Sequence, residues 1–200
     1  MASEDRTPLH VAASEGDLIK LKEILKDPKA ELDPTDEMGW TPLMIACSAG
    51  RLDIVKELIS AGVNINRPNN NGQTALHYAA SKSHFEIFKL LLDSGANVNP
   101  QDKYGSTPLH RSSSKGNSKI VKLLLESPKI NINIQDNYGN TPLHCACEEE
   151  RLAECKLLIE SGADMEIENK EKKKPLDMCS RYAVRQRIES GDFDYADTKH

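Results

Sequence analysis

A chain of 200 residues with 38% hydrophobic but only 4% aromatic side chains can bury a core, one built by close packing of small and aliphatic residues and not by large rings. Its formal net charge of −5 excludes a whole-molecule field that would draw in nucleic acid or an anionic membrane. No stretch nears the roughly 18 apolar residues of a membrane span, the N-terminus has no apolar signal core, and an odd count of five cysteines does not suit a disulfide framework, so a soluble protein of a reducing compartment, cytoplasmic and nuclear, is expected.

In chain order, one short motif keeps returning. Thr7-Pro8-Leu9-His10 recurs as Thr41-Pro42-Leu43-Met44, Thr74-Ala75-Leu76-His77, Thr107-Pro108-Leu109-His110 and Thr141-Pro142-Leu143-His144, and ends as Lys174-Pro175-Leu176-Asp177. Successive starts lie 34, 33, 33, 34 and 33 residues apart, a period that multiplies one supersecondary unit. Thr is a good N-cap, Pro suits the first helical position because its missing N–H has no partner there, and Leu points inward. The His that follows is placed to tie its own turn to a neighbouring loop, a structural role.

Each tetrapeptide therefore opens a first helix, which runs to a small or polar break at Gly16, Gly50, Ser83, Gly116 or Glu150. Second helices follow, with apolar residues at helical spacing over 52–59, 85–92, 118–125 and 152–159, and Gly62, Gly95 and Gly162 stop them. Asp36, Asn69, Asp102 and Asp136 open turns with Gly39, Gly72, Gly105 and Gly139 three residues on, a hairpin signature. The predicted fold is all-α, a solenoid of about six helix-turn-helix repeats with β-hairpin turns, since one such unit cannot bury its apolar face alone. A single domain spans 1–190, with repeats near 3–35, 36–68, 69–101, 102–135 and 136–168 and a polar cap at 169–190, and residues 191–200 read as a polar tail.

Candidate chemistry must beat this periodic explanation. Cys145-Ala146-Cys147 beside His144 suggests zinc, yet residues two apart on a helix face different ways and no fourth ligand stands at ligand spacing. Cys147 and Cys155 occupy the slots of Ala80 and Phe88 and read as core. The histidines line one structural row and each glycine is isolated, so no catalytic residue, metal or cofactor is expected.

Binding residues are those that the repeat leaves free, at the turns and at the ends of the first helices. They include Arg6, Glu37, Trp40, Arg51, Ser81, Lys82, Lys103, Tyr104, Lys115, Tyr138, Glu148 and Glu149. Arg6, Arg51, Lys82, Lys103 and Lys115 make the first four repeats basic, and Glu148, Glu149 and Glu150 make the fifth acidic. Trp40, the only Trp, is read as exposed at a turn tip, with Tyr104 and Tyr138 at comparable tips, where aromatics act as hot spots.

These repeats identify the chain as a member of the ankyrin-repeat family over residues 3 to 190. Within that family, Gly39-Trp40-Thr41-Pro42-Leu43, Leu76-His77-Tyr78-Ala79-Ala80-Ser81-Lys82, Asn133-Ile134-Gln135-Asp136 and Ile167-Glu168-Asn169-Lys170-Glu171 resemble the gankyrin family of proteasome regulatory-particle assembly chaperones. Cys147-Glu148-Glu149-Glu150-Arg151, with Glu150 in place of the usual Gly, adds an off-consensus match. The resemblance implies a partner, the C-terminal domain of a proteasome base ATPase subunit, held on the concave face by charge complementarity. Arg6 and Lys82 match the family's basic contacts, Trp40 and Arg51 neighbouring ones, and Glu148 and Glu149 the acidic end. The implied mechanism is steric, a monomeric chaperone that blocks premature docking of the ATPase. A generic ankyrin adaptor or a cyclin-dependent-kinase-binding regulator would use the same face.

Overall fold

The computed structural model describes residues 5–193. The chain divides into two compact units, Met1–Lys103 and Tyr104–His200. The first holds α1 (Pro8–Glu15), α2 (Leu18–Leu25), α3 (Pro42–Ala49), α4 (Leu52–Ser60), α5 (Ala75–Ser81) and α6 (Phe85–Asp93). The second holds α7 (Pro108–Lys115), α8 (Ser118–Leu125), α9 (Pro142–Glu148) and α10 (Leu152–Glu160), then a 3-10 turn (Pro175–Met178) and α11 (Tyr182–Ser190). First helices stack on first helices, α1 on α3 on α5 and α7 on α9, and second helices on second helices, α2 on α4 on α6 and α8 on α10.

Two side-chain patterns make this stacking possible. First helices bury adjacent small residues, Ala12-Ala13, Ala46-Cys47, Ala79-Ala80, Ser112-Ser113 and Ala146-Cys147, so their backbones can approach closely. Second helices bury branched or ring side chains one turn apart, such as Ile54, Val55 and Leu58, or Ile87, Phe88 and Leu91. Their Thr N-caps act as expected, with the hydroxyls of Thr41, Thr107 and Thr141 accepting from Met44 N–H, His110 N–H and His144 N–H at 3.3, 3.4 and 3.4 Å.

The recurring histidines are fully inside the stack. His144 Nδ1 accepts the Thr141 N–H at 3.1 Å, which leaves the ring proton on Nε2, and Nε2 donates to the Lys173 carbonyl of the next turn at 3.1 Å. His10 bonds Thr7 N–H and the Trp40 carbonyl in the same way, and His110 bonds Thr107 N–H and the Asn140 carbonyl. Each of these three rings thus closes its own helix start and holds the following turn, about 30 residues away.

The turns themselves form without any strand among the described residues, which corrects the expectation of β-hairpins. Asp36 Oδ1 accepts from the N–H groups of Met38 and Trp40 at 3.1 and 2.8 Å, and Asn69, Asp136 and Asn169 repeat the pattern. Neighbouring turns are then joined by one backbone bond at a time, Asn70 N–H to Met38 O, Lys103 N–H to Asn71 O, Asn137 N–H to Tyr104 O and Lys170 N–H to Tyr138 O. A single bond per interface is too little for a ladder. Close approach is also why Gly139 is glycine: its φ is +81° and a Cβ there would lie 2.9 Å from Lys170 N.

The C-terminal cap is more ordered than a decayed repeat. α11 buries Val184 and Ile188 and packs on α10, and the half-buried Phe193 ring lies 5.9 Å from Lys156 Nζ. Gly191 caps α11 where the expected tail begins, and residues 194–200 of that tail lie outside the described residues. Lys172 occupies the glycine slot of this last turn with φ +63°. Replacement of Lys172 by Gly should raise stability by about 0.5 kcal/mol, the left-handed strain relieved less the entropy of an added glycine. Gly139→Ala, in the same slot, should lower stability by more than about 1 kcal/mol, with both variants read by urea titration.

Burial lowers the His144 pKa below the ordinary 6.5 despite the Lys173 carbonyl, Asp136 and Asp177, all of which favour the cation. The unfolded chain therefore binds the extra proton first. Stability from this site is complete above pH 6.5 and is lost as the pH falls from there toward the folded pKa. His144→Met, the residue that repeat two carries in this slot, should flatten that acid limb. It should also lower stability at neutral pH by about 1–3 kcal/mol, because Thr141 N–H and the Lys173 carbonyl lose their partner. Urea midpoints across pH 5 to 8 read both effects.

Candidate functional site

Stacking consumes most of each repeat, and what remains lies on the turns and on the uncovered side of the first helices. In the first unit the Trp40 and Tyr78 rings meet there with centroids 4.1 Å apart and planes tilted by 40°. Trp40 is half-buried, with its N–H on Asp36 and its carbonyl on His10, so the expected exposed tip residue is a fixed part of a platform. Tyr78 is held as firmly, its hydroxyl accepting from Asn69 Nδ2 at 2.8 Å and donating to Gln73 Oε1 at 2.7 Å. Sequence reasoning missed Tyr78 as a site residue. Its signal was its slot, the fourth residue after the Thr, where Val11 and Ile45 stand in the preceding repeats.

The charged candidates of this unit divide. Arg6 is committed within the molecule: Nε and Nη2 both lie 3.3 Å from Asp36 Oδ2, and the Asp36 side chain is only 3% exposed. Its charge is largely answered before any partner arrives, and its removal would leave a buried carboxylate short of a cation. Glu37 keeps an exposed side chain while its backbone is clamped, N–H to the Asp5 carboxylate and C=O to Asn70 Nδ2. Lys82 is exposed at the end of α5, next to half-buried Ser81 and one helical turn from Tyr78, and with Met38, 55% exposed, it completes the platform's surroundings.

Arg51 has a different job. It follows α3 at the end opposite Trp40, and its side chain lies over Gly16, where an added Cβ would come within 3.1 Å of Arg51 Cδ. His84 covers Gly50 and bonds the Ser48 carbonyl, and Arg151 covers Gly116 and bonds the Ser114 carbonyl, so this slot is a row of corner clamps. The structure therefore does not bring Arg51 together with Trp40.

In the second unit Tyr104 and Tyr138 are 50% and 62% exposed on successive turns. Lys115 is exposed at the end of α7, and Glu148 and Glu149 are exposed at the end of α9. Glu150 leaves this acidic run: its carboxylate takes Ser180 Oγ and Arg181 N–H at 2.8 Å and pairs with the Arg181 guanidinium. It serves the cap despite a φ of +53°. Half-buried Cys145 points to no chemistry, since burial, then Asp136, Glu148 and Glu149, push its thiol up to about 12. Among the described residues no group of three or more His, Cys, Asp or Glu is placed to hold a metal ion, and no helix is long and apolar enough to cross a membrane.

Trp40 is the only tryptophan and so reports on this platform alone. Tyr78→Ala should shift its fluorescence emission to the red and lower the stability of the first unit by about 1–3 kcal/mol through lost ring contact and the unpaired Asn69 and Gln73 amides.

A profile of ankyrin repeats in three copies matches residues 9–102, 59–136, 94–170 and 128–186. The chain is similar to protein phosphatase 1 regulatory subunit 27 of Homo sapiens, 44% identical over 64 residues, which covers 32% of this chain and 41% of that protein. It is similar to 26S proteasome non-ATPase regulatory subunit 10 of Dictyostelium discoideum, 42% identical over 61 residues, 30% of this chain and 26% of that protein. A third relative is the 2-5A-dependent ribonuclease of Mus musculus, 38% identical over 69 residues, 34% of this chain and 9% of that protein. The chain thus spans less than half the length of these relatives, whose names differ widely, and what they share with it is the repeat. With profile matches overlapping from residue 9 to 186 and a helical pair, a Thr cap and a turn recurring in each copy, the chain belongs to the ankyrin-repeat family.

Proposed function

We propose that this chain is a non-enzymatic chaperone of proteasome regulatory-particle assembly, a monomer of the cytoplasm and nucleus that binds the C-terminal domain of a base ATPase subunit. The observation that carries it is the set of groups left over from stacking: a half-buried, rigid Trp40–Tyr78 platform beside exposed Lys82 in one unit, and exposed Tyr104, Tyr138, Lys115 and the Glu148–Glu149 pair in the other. A held aromatic pair with exposed charges at its rim suits a folded protein partner, because the Trp40 and Tyr78 rings are placed before binding and the charges select orientation. The 42% match to a proteasome regulatory subunit and the off-consensus Glu150 support the choice of partner. Binding acts sterically, by covering the ATPase domain until assembly displaces the chaperone.

The 44% match to a phosphatase regulatory subunit favours a second reading, an adaptor that regulates a phosphatase or a cyclin-dependent kinase. Pull-down of isolated base-ATPase C-terminal domains, a phosphatase catalytic subunit and a cyclin-dependent kinase at low salt separates the two. Capture of one ATPase domain with a change in Trp40 emission is expected. Lys82→Glu and the double variant Glu148→Lys/Glu149→Lys should each weaken it by about ten-fold or more. Capture of none of the ATPase domains sinks the proteasome reading.

A further inference from the structure

An open groove of about 1050 Å³ lies among α8, α10 and α11 and draws on none of the residues assigned above to partner binding. Its lining carries six cations, Lys119, Lys122, Arg151, Lys156, Arg181 and Arg187, against two carboxylates, in a chain whose net charge is −5. Both carboxylates are engaged, Glu150 with Arg181 and Ser180, and buried Glu154 with the Ser118 hydroxyl. The lining keeps a positive excess, and a concave surface of one sign concentrates its field. Lys119 is the anomaly. It is the second residue of α8, where α4 and α6 carry Asp53 and Glu86, acids that suit the positive end of a helix. A lysine there is opposed by the helix dipole and by Lys122 one turn on, and packing does not offset this, because both residues are exposed. Among the cations the lining turns apolar at Leu152, Leu157 and Ala183. The chain itself seats a ring there: Phe193, which Asp192 and Asp194 flank in the sequence, lines the groove with its ring centroid 5.9 Å from Lys156 Nζ.

We propose that this groove is a second docking site, and that it takes an acidic peptide segment of a partner protein with an aromatic or branched apolar anchor. The carboxylates of that segment meet Lys119, Lys122, Arg151 and Arg187, and its anchor lies on Leu152, Leu157 and Ala183 beside Phe193. A peptide suits the groove better than a bare polyphosphate, which has nothing to bury on the apolar strip. The site stands whatever protein the turns bind.

Full-length chain is titrated against a fluorescein-labelled peptide of glutamates around a central phenylalanine, with anisotropy as the readout. Saturable binding is expected at low salt, weakening as salt rises, and about ten-fold weaker when alanine replaces the phenylalanine of the peptide. Lys119→Glu should weaken binding by about ten-fold or more. It should leave the urea midpoint unchanged or higher, since it puts at this slot the kind of acid that α4 and α6 carry there. Lys82→Glu, in the other unit, should leave peptide binding unchanged. Absence of binding to the peptide overturns the proposal. Equal affinity for the alanine peptide, or equal affinity for inorganic tripolyphosphate, reduces the groove to simple attraction of polyanions and overturns it as well. Two other occupants are tested in the same way. Binding by a variant that ends at Phe193 but not by the full chain assigns the groove to residues 194–200, and dimers that Lys119→Glu dissolves assign it to a second copy. Either result overturns the assignment to a partner.

Discussion

The protein depends on one repeated bond, the donation of a buried histidine Nε2–H to a backbone carbonyl in the next turn. Because the same ring accepts the N–H of its own N-cap Thr, it fixes both the start of a helix and the position of the turn that follows some 30 residues later. The turn is in turn rigid from its own Asp or Asn side chain. Helix, cap and turn are therefore referenced to one another by side chains that never reach solvent, and the exposed groups inherit that order. Trp40 illustrates the inheritance: its carbonyl belongs to His10 and its N–H to Asp36, so its backbone is fixed where the indole meets Tyr78.

Whatever could be read within one period was legible in the sequence. The Thr-Pro-Leu-His starts, the second helices and the structural reading of the histidines, Cys147 and Cys155 all follow from local rules. What escaped were contacts that cross from one repeat to the next. Arg6 meets Asp36, Arg51 lies over Gly16, Trp40 meets Tyr78 and Glu150 meets Arg181, all at separations of 30 to 38 residues. A slot looks free when only its own repeat is considered, and is occupied once the neighbour is stacked on it. The hairpin expectation failed for a related reason: the Asp/Asn-x-x-Gly pattern signals a tight turn, but whether strands extend from it depends on how many backbone bonds the adjacent turn supplies.

This sorting narrows the residues on which the proposed recognition rests. Of the basic residues that periodicity left over, Arg6 and Arg51 have internal duties, whereas Lys82 and Lys115 project from the ends of first helices. The acidic end contracts to Glu148 and Glu149. On the proposed reading a partner meets fewer charges than composition implies, together with the Trp40 and Tyr78 rings, which the fold already holds in place.

Lys172 carries a consequence for assembly. At internal turns a glycine lets the following turn settle within van der Waals distance of bare backbone, and the Lys172 Cβ obstructs that seat. In the first unit the Asp5 carboxylate accepts the Glu37 N–H, where Asn70, Asn137 and Lys170 give the equivalent N–H to a carbonyl of the neighbouring turn. A repeat array is by nature a head-to-tail polymer in miniature, whose two faces are complementary and do not close on themselves. Where a side chain stands in the glycine slot, as Lys172 does, the turn no longer offers the next repeat the same close seat on bare backbone.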